Sequence, residues 1–361
     1  MKMSFVPSFI SEELMNWEEY SRIVLEKCKE KELPYHACFE LTPFCNFKCN
    51  MCYIRLDSEQ ARKQGQMLNY HQWIDLAKEA KQMGTLSLEL TGGEAISRAD
   101  FPIIYEELSR MGFIINLRTN GYLLNSDVYE LLKKNKPQRI GITIYGASDE
   151  TYQKVCDVKD GFSVVTSNIL KLINDGFNVH LSMMVTNDNI DDREKLDKWA
   201  QIHGLKIKTH GGMIHPIRNA KRPIEQLRIR YTDEECTLSN DTGRKFPDIP
   251  DRLEYMNPFW MCNGFGSIFC ISWDGRVTLC NTMVSIWKDP FISGLECAYK
   301  ELYSELKGLQ RPEKCRTCYY IDYCAACPSQ LLSETGRPDH TCEEICRRAR
   351  RRYKAFNQNR F

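Results

Sequence analysis

No apolar run in this chain approaches the ~20 residues that a membrane-spanning helix needs. Internal repeats and low-complexity tracts are missing as well. Residues 1–10 do not read as a signal peptide, because they contain Pro7 and run straight into Glu12 and Glu13. Charge of one sign is also lacking. The 49 Lys and Arg offset the 48 Asp and Glu to leave a formal net charge of +1, which argues against nucleic acid or another generic polyanion as partner. The basic run at 347–352 lacks the aromatic interleaving of a nucleic-acid module and reads as a solvated helix face. These absences point to a cytoplasmic protein with no membrane and no nucleic-acid partner.

Cysteine is what the chain has in excess. Seventeen is a high and odd number, better explained by reduced, metal-bound thiols in a reducing, anaerobic cytoplasm than by disulfides. Three of them, Cys45, Cys49 and Cys52, form a C-x3-C-x2-C triplet after the apolar segment 36–41. Three such thiolates can hold three irons of a 4Fe–4S cubane. No fourth cysteine follows within reach, so one iron keeps an open position for a small molecule, as catalytic metal sites do. Buried, inert cysteines are the plainer alternative, but Asn46, Lys48 and Asn50 are polar and Pro43 breaks the backbone.

With Tyr53 beside it, the triplet resembles the signature of radical SAM enzymes. The resemblance implies that the open iron chelates the amino and carboxylate groups of S-adenosylmethionine. Its reductive cleavage then yields a 5′-deoxyadenosyl radical that takes a hydrogen atom from the substrate. An electron donor of the flavodoxin or ferredoxin type is implied too.

Strand-like segments at 36–41, 86–91, 114–118, 139–145, 178–185 and 206–210 alternate with helical ones at 70–83, 102–110, 126–134, 162–175 and 191–203. This alternation predicts parallel strands with crossover helices. Six units are too few for a closed eight-fold barrel, so the expected fold is α/β, an open, partial (β/α)6 TIM-like barrel. The expected division is an N-terminal helical extension at 1–35, the barrel core at 36–230 and a Cys-rich region at 231–361. Past residue 261 regular apolar periodicity fades, which predicts a region that bound metal holds together.

The turn Gly92-Gly93-Glu94 closes the second strand. Paired glycines allow close backbone approach and a carboxylate can pair with an ammonium; a plain tight turn is the alternative. One unit after the triplet, it looks like the family's GGE motif, whose backbone and carboxylate meet the methionine amino group. Thr119-Asn120-Gly121 resembles the family's Thr-Asn-Gly turn, with Asn120 toward the ligand. Thr143 stands on the fourth strand where relatives carry a residue touching ribose or methionine. Relatives have an arginine clamp after that strand; here Lys154 and Lys159 occur instead, and lysine lacks the bidentate fork.

Cys315-x2-Cys318-x5-Cys324-x2-Cys327 fits a zinc ribbon or iron–sulfur ligation. Cys262, Cys270 and Cys280 lie upstream, Cys342 and Cys346 downstream. Beside a radical SAM core, the array resembles a SPASM domain with two auxiliary 4Fe–4S clusters. The resemblance assigns Cys262, Cys270, Cys280 and Cys327 to the first cluster, and Cys315, Cys318, Cys324 and a later cysteine to the second. Cys346, in a C-x2-A-x2-R run, is preferred over Cys342 for that last ligand. The x2 spacing of Cys324 and Cys327 departs from the family's usual x3. Cys28, Cys38, Cys156, Cys236, Cys297 and Cys342 are left as buried structural thiols.

The resemblance points to an oxidoreductase that matures a ribosomal peptide by cross-link, oxidation or epimerisation. A small-molecule alcohol dehydrogenase of the same superfamily is the alternative. A non-catalytic electron carrier or zinc-binding protein fits less well, because it has no need of an amine-binding turn. Sulfatase maturation is disfavoured, because Asn281 follows Cys280 where those relatives carry an aspartate base, and an amide cannot take that proton. Tyr145, Met184, His210, His215 and Arg218 follow or end strands and are candidates to line the pocket. No catalytic acid, base or hydrogen donor stands out.

Overall fold

The structure, a computed structural model, describes residues 17–210, 226, 256–259, 262, 264–324 and 326–358. Six parallel strands pair in chain order: β1 (His36–Glu40), β2 (Ser87–Thr91), β3 (Ile114–Thr119), β4 (Arg139–Thr143), β5 (Val179–Met184) and β6 (Ile207–His210). Helix α1 (Trp17–Glu30) precedes them. Between them run α2 (Ser58–Gln64), α3 (Tyr70–Gln82), α4 (Phe101–Arg110), α5 (Ser126–Lys134), α6 (Asp149–Cys156) and α7 (Gly161–Asn174), and α8 (Arg193–Ile202) leads to β6. The expected alternation is present strand for strand.

Two more strands extend the sheet. β7 (Ile268–Ile271) pairs parallel to the outer edge of β1, and β8 (Val277–Thr278) turns back antiparallel on β7. The order is β6-β5-β4-β3-β2-β1-β7-β8, an open sheet. One face carries Ala37, Phe39, Leu88, Leu90, Leu117, Ile140 and Ile142, all fully buried against helix residues such as Trp73, Leu76, Tyr105 and Ile169. Each such large side chain stabilises the fold by about 1.5–3 kcal/mol. The register puts His36, Cys38 and Glu40 beside Ser87, Glu89 and Thr91 on the other face, which is polar. There Glu89 Oε2 lies 2.7 Å from Arg118 Nε and 3.9 Å from Arg139 Nη2.

The fading periodicity past residue 261 does not mean a missing core. Phe265, Phe269, Ile271, Val277, Leu279 and the helix Leu295–Lys307 join the same apolar cluster as the barrel strands. Among the described residues, the last segment has a small core of its own, built on Ala326, Leu331 and Ile345. Arg311, almost fully buried, ties the two parts through Nη2 to the carbonyls of Pro258 (3.4 Å) and Ala326 (3.2 Å). Among the described residues no helix is long and apolar enough to cross a membrane.

Candidate active site

The loop leaving β1 carries the cysteine triplet and is seated from two sides. On one side it zips to the loop after β2, where Gly93 N donates to Thr42 O (2.7 Å) and Glu94 N to Phe44 O (2.8 Å). A Cβ at Gly93 would lie 2.2 Å from Phe44 O, and one at Gly92 would lie 2.5 Å from Thr42 O. Gly92 also has φ 143°, outside the range of ordinary side chains. The near neighbours that require these glycines are therefore backbone atoms of the cysteine loop.

On the other side the loop rests on the last turn of α6. Lys48 N donates to Cys156 O (2.8 Å) and Asn50 N to Val155 O (2.9 Å), so two orphan carbonyls of that helix end gain donors. Between these contacts Phe47 is fully buried, edge-on to Tyr122, Tyr145 and Tyr152.

The three thiols gather around Tyr145, whose hydroxyl burial raises first, followed by the charges of Cys49, Cys156, Cys52 and Cys45. Phe47 N donates to Cys45 Sγ (3.3 Å) and Arg55 N to Cys52 Sγ (3.2 Å). Burial, then the Glu94 charge, raises the Cys45 thiol. Burial and then Cys49 push Cys52 up to about 11. For Cys49 the contact with Cys156 and burial act together in the same direction. Such thiols stay protonated until a metal removes the proton. Three neighbouring sulfurs on one loop, two of them supplied with main-chain donors, fit the ligand set of a 4Fe–4S cluster.

Glu94 is fully buried, and burial pushes its carboxyl up to about 7. Its oxygens accept from Asn120 N (2.7 Å), Thr119 Oγ1 (2.9 and 3.0 Å) and Ile96 N (3.2 Å). A cation beside it would restore the charge that burial disfavours. Asn120 also reaches the cysteine loop, donating through Nδ2 to Asn46 Oδ1 (2.8 Å) and lying 3.7 Å from Cys45 Sγ. Gly92, Gly93, Glu94, Asn120 and the triplet thus share one end of the sheet. Thr143 is further along, with Oγ1 3.4 Å from Ser182 Oγ on β5. Lys154 is held by Asp188 (3.3 Å).

Inside the polar face Asn281 Nδ2 donates to Tyr53 OH (3.1 Å). Met184 ends β5 and His210 ends β6. His215, Arg218 and Cys236 lie outside the described residues. Cys38, expected to be inert, is the register partner of Cys270 across β1 and β7, close enough for each thiol to raise or lower the other's proton affinity.

Of the C-terminal cysteines, Cys280 is near enough for its charge to bear on Cys262, Cys270 and Cys327. Ser329 Oγ donates to Thr282 Oγ1 (2.6 Å), which is 3.3 Å from Cys280 Sγ, and so joins the two segments. Burial pushes Cys262 up to about 11. A second neighbourhood forms around Cys315, also pushed up to about 11 by burial, with Cys324, Cys346 and Cys318 adding to it. The charges of Cys324 and Cys318 reach Cys346. Those that reach Cys342 are Glu334 and Glu344. Among the described residues no three His, Cys, Asp or Glu side chains converge as around one metal ion. The thiolates of a cubane each bind a different iron and need not converge in that way.

The Radical SAM superfamily profile matches residues 39–200. A Saccharolobus islandicus protein named "Probable GTP 3′,8-cyclase" is 31% identical over 256 residues, 66% of this chain and 80% of that protein. The chain belongs to the radical SAM superfamily. A Metallosphaera sedula protein of the same name is 30% identical over 49% of this chain, and the match spans 55% of its length. In fold, this radical SAM chain is similar to Streptococcus suis SuiB bound to precursor peptide SuiA. That TM-score is 0.66 at 14% identity, covering 95% of this chain and 84% of SuiB. The similarity to anSMEcpe with bound AdoMet has a TM-score of 0.64 at 15% identity, over 91% of this chain and 98% of that one. Membership implies a 4Fe–4S cluster and S-adenosylmethionine. A radical SAM enzyme with an open, mostly parallel sheet is the description that sequence and fold share.

Proposed function

We propose that this radical SAM enzyme carries two auxiliary 4Fe–4S clusters in a C-terminal SPASM domain (231–361) and modifies a peptide. The observation that carries the reading is that the C-terminal cysteines fall into two separate neighbourhoods, with Cys38 of β1 beside the first. Cys262, Cys270, Cys280 and Cys327 make the first; Cys315, Cys318, Cys324 and Cys346 make the second. Similarity to SuiB over 95% of the chain, C-terminal part included, supports a peptide as substrate.

When bound, the cluster of Cys45, Cys49 and Cys52 and S-adenosylmethionine supply the one-electron cleavage that generates a hydrogen-abstracting radical. The chain's own residues hold and shield them. Glu94 and the Gly92-Gly93 backbone bind the methionine amino group, with Asn120 and Thr143 toward the remainder. Phe47, Tyr145 and Tyr152 keep water from the sulfurs. Electrons come from a flavodoxin- or ferredoxin-type donor.

Replacing Glu94 with alanine is expected to leave iron content unchanged while costing about 1.5–3 kcal/mol of S-adenosylmethionine binding. Equilibrium binding to the reconstituted protein measures it; parent-like affinity would move the methionine site elsewhere. The last ligand is tested by a pair of variants. Cys346→Ala is expected to lose about four irons and Cys342→Ala none, and the reverse pattern on metal analysis would exchange their roles.

The named relatives favour a second reading, nucleotide cyclisation, because a protein called a GTP 3′,8-cyclase shares 31% identity over 256 residues. Incubation with dithionite, S-adenosylmethionine and either the peptide encoded nearest the gene or GTP separates the two. A mass change in the peptide supports peptide maturation. Turnover of GTP with the peptide unchanged supports the cyclase reading, and oxidation of a small alcohol alone would support neither.

A further inference from the structure

Two of the three triplet sulfurs are served by main-chain donors, Phe47 N to Cys45 and Arg55 N to Cys52. Cys49 is served by side chains instead. Its Sγ lies 3.5 Å from Cys156 Sγ, and the buried Tyr145 hydroxyl lies nearby. The Cys49–Cys156 contact is built into the backbone. The residues on either side of Cys49 donate to the carbonyls of Cys156 and Val155, which fixes that loop on the end of α6. The end of α6 is itself shaped for this. Asp157 caps it at φ 62°, a left-handed conformation uncommon for a residue other than glycine, and its carboxylate takes Lys48 Nζ (3.4 Å) and Gln153 Nε2 (3.1 Å). Cys156 is fully buried.

We infer that Cys156 is a positioning residue for the catalytic cluster, donating its S–H to the Cys49 sulfur and setting the cluster's reduction potential. The inference rests on a 4Fe–4S cluster held by Cys45, Cys49 and Cys52. Once Cys49 is bound to iron it has no proton, so in this thiol pair only Cys156 has one to give. Reduction adds negative charge to the cluster and its sulfurs, and a donor aimed at a sulfur stabilises the reduced form more than the oxidised one. Hydrogen bonds to ligand sulfurs are among the determinants of iron–sulfur potentials. Of the other donors to this triplet, the backbone ones cannot be mutated away, and Asn120, whose Nδ2 lies 3.7 Å from Cys45 Sγ, also pairs with Asn46 and Glu94. Cys156 is the donor that can be removed at the cost of one small side chain.

The test is an EPR-monitored redox titration of full-length, reconstituted enzyme. The catalytic cluster is recognised as the signal that changes when S-adenosylmethionine is added. Cys156→Ala is expected to retain that signal and the parent's iron content, with the midpoint shifted to more negative potential. Cys156→Ser, which keeps a donor and a stronger one than a thiol, is expected at or above the parent's midpoint. An alanine variant with an intact signal and an unmoved or more positive midpoint would overturn the inference. Should the alanine variant lose the signal, the serine variant decides: a midpoint below the parent's, or loss of the signal there too, overturns it. A parent protein with no signal that responds to S-adenosylmethionine would instead overturn the cluster assignment beneath it.

Discussion

Enzyme in which Cys45, Cys49 and Cys52 are all replaced with alanine should keep about eight of about twelve irons and cleave no S-adenosylmethionine. Activity should fall to background, because the cofactor loses the one iron with an open position. The fold should survive, since the triplet loop is held by contacts that do not involve sulfur. Gly93 and Glu94 bind its backbone to the β2 loop, Val155 and Cys156 bind it to α6, and Phe47 anchors it in the aromatic cluster. Iron analysis with quantification of 5′-deoxyadenosine checks both parts. Residual cleavage at a tenth of the parent rate would require another cluster to do the chemistry.

The second large effect is at the other end of the chain. Cys315→Ala with Cys318→Ala should retain reductive cleavage of S-adenosylmethionine while abolishing product on a peptide substrate. The segment that carries these residues has a small apolar cluster of its own, Ala326, Leu331 and Ile345, separate from the barrel's. On the proposed reading metal supplies much of its folding energy, so ligand loss is expected to be structural as well as electronic. The barrel core is built of other residues and meets that segment at its edge, through Leu332, Arg311 and Ser329. Deoxyadenosine and peptide mass, followed in the same reaction, separate the two functions. Full peptide turnover by the variant would make the second auxiliary cluster dispensable.

The parts of this architecture that follow local rules are legible in the sequence. The first five strands are legible because each carries one apolar face and sits between helical stretches, while β6 has only Ile207 and follows a helix. Two further features also follow local rules. The hairpin β7–β8 turns at Asp274-Gly275 between apolar runs, a recognisable hairpin signal. Helix α6 has Ser148 as its N-cap with Asp149 and Glu150 in its first turn, a recognisable start. Its last turn, residues 153–156, is the seat of the cysteine loop.

What no local rule supplies is proximity. Cys156 is 107 positions from the sulfur it touches, and Cys38 meets Cys270 only because β7 returns to the edge of β1. Both looked inert when judged by their neighbours in sequence. The two glycines are a subtler case. Their need was visible, but the atoms that impose it belong to Thr42 and Phe44.

The central claim, three cubane clusters held by eleven cysteines, is tested most directly by iron and zinc analysis of anaerobically reconstituted, full-length protein. The account predicts about twelve irons per chain and no zinc. About four irons with zinc bound would contradict it, leaving a radical SAM core attached to a zinc-binding segment.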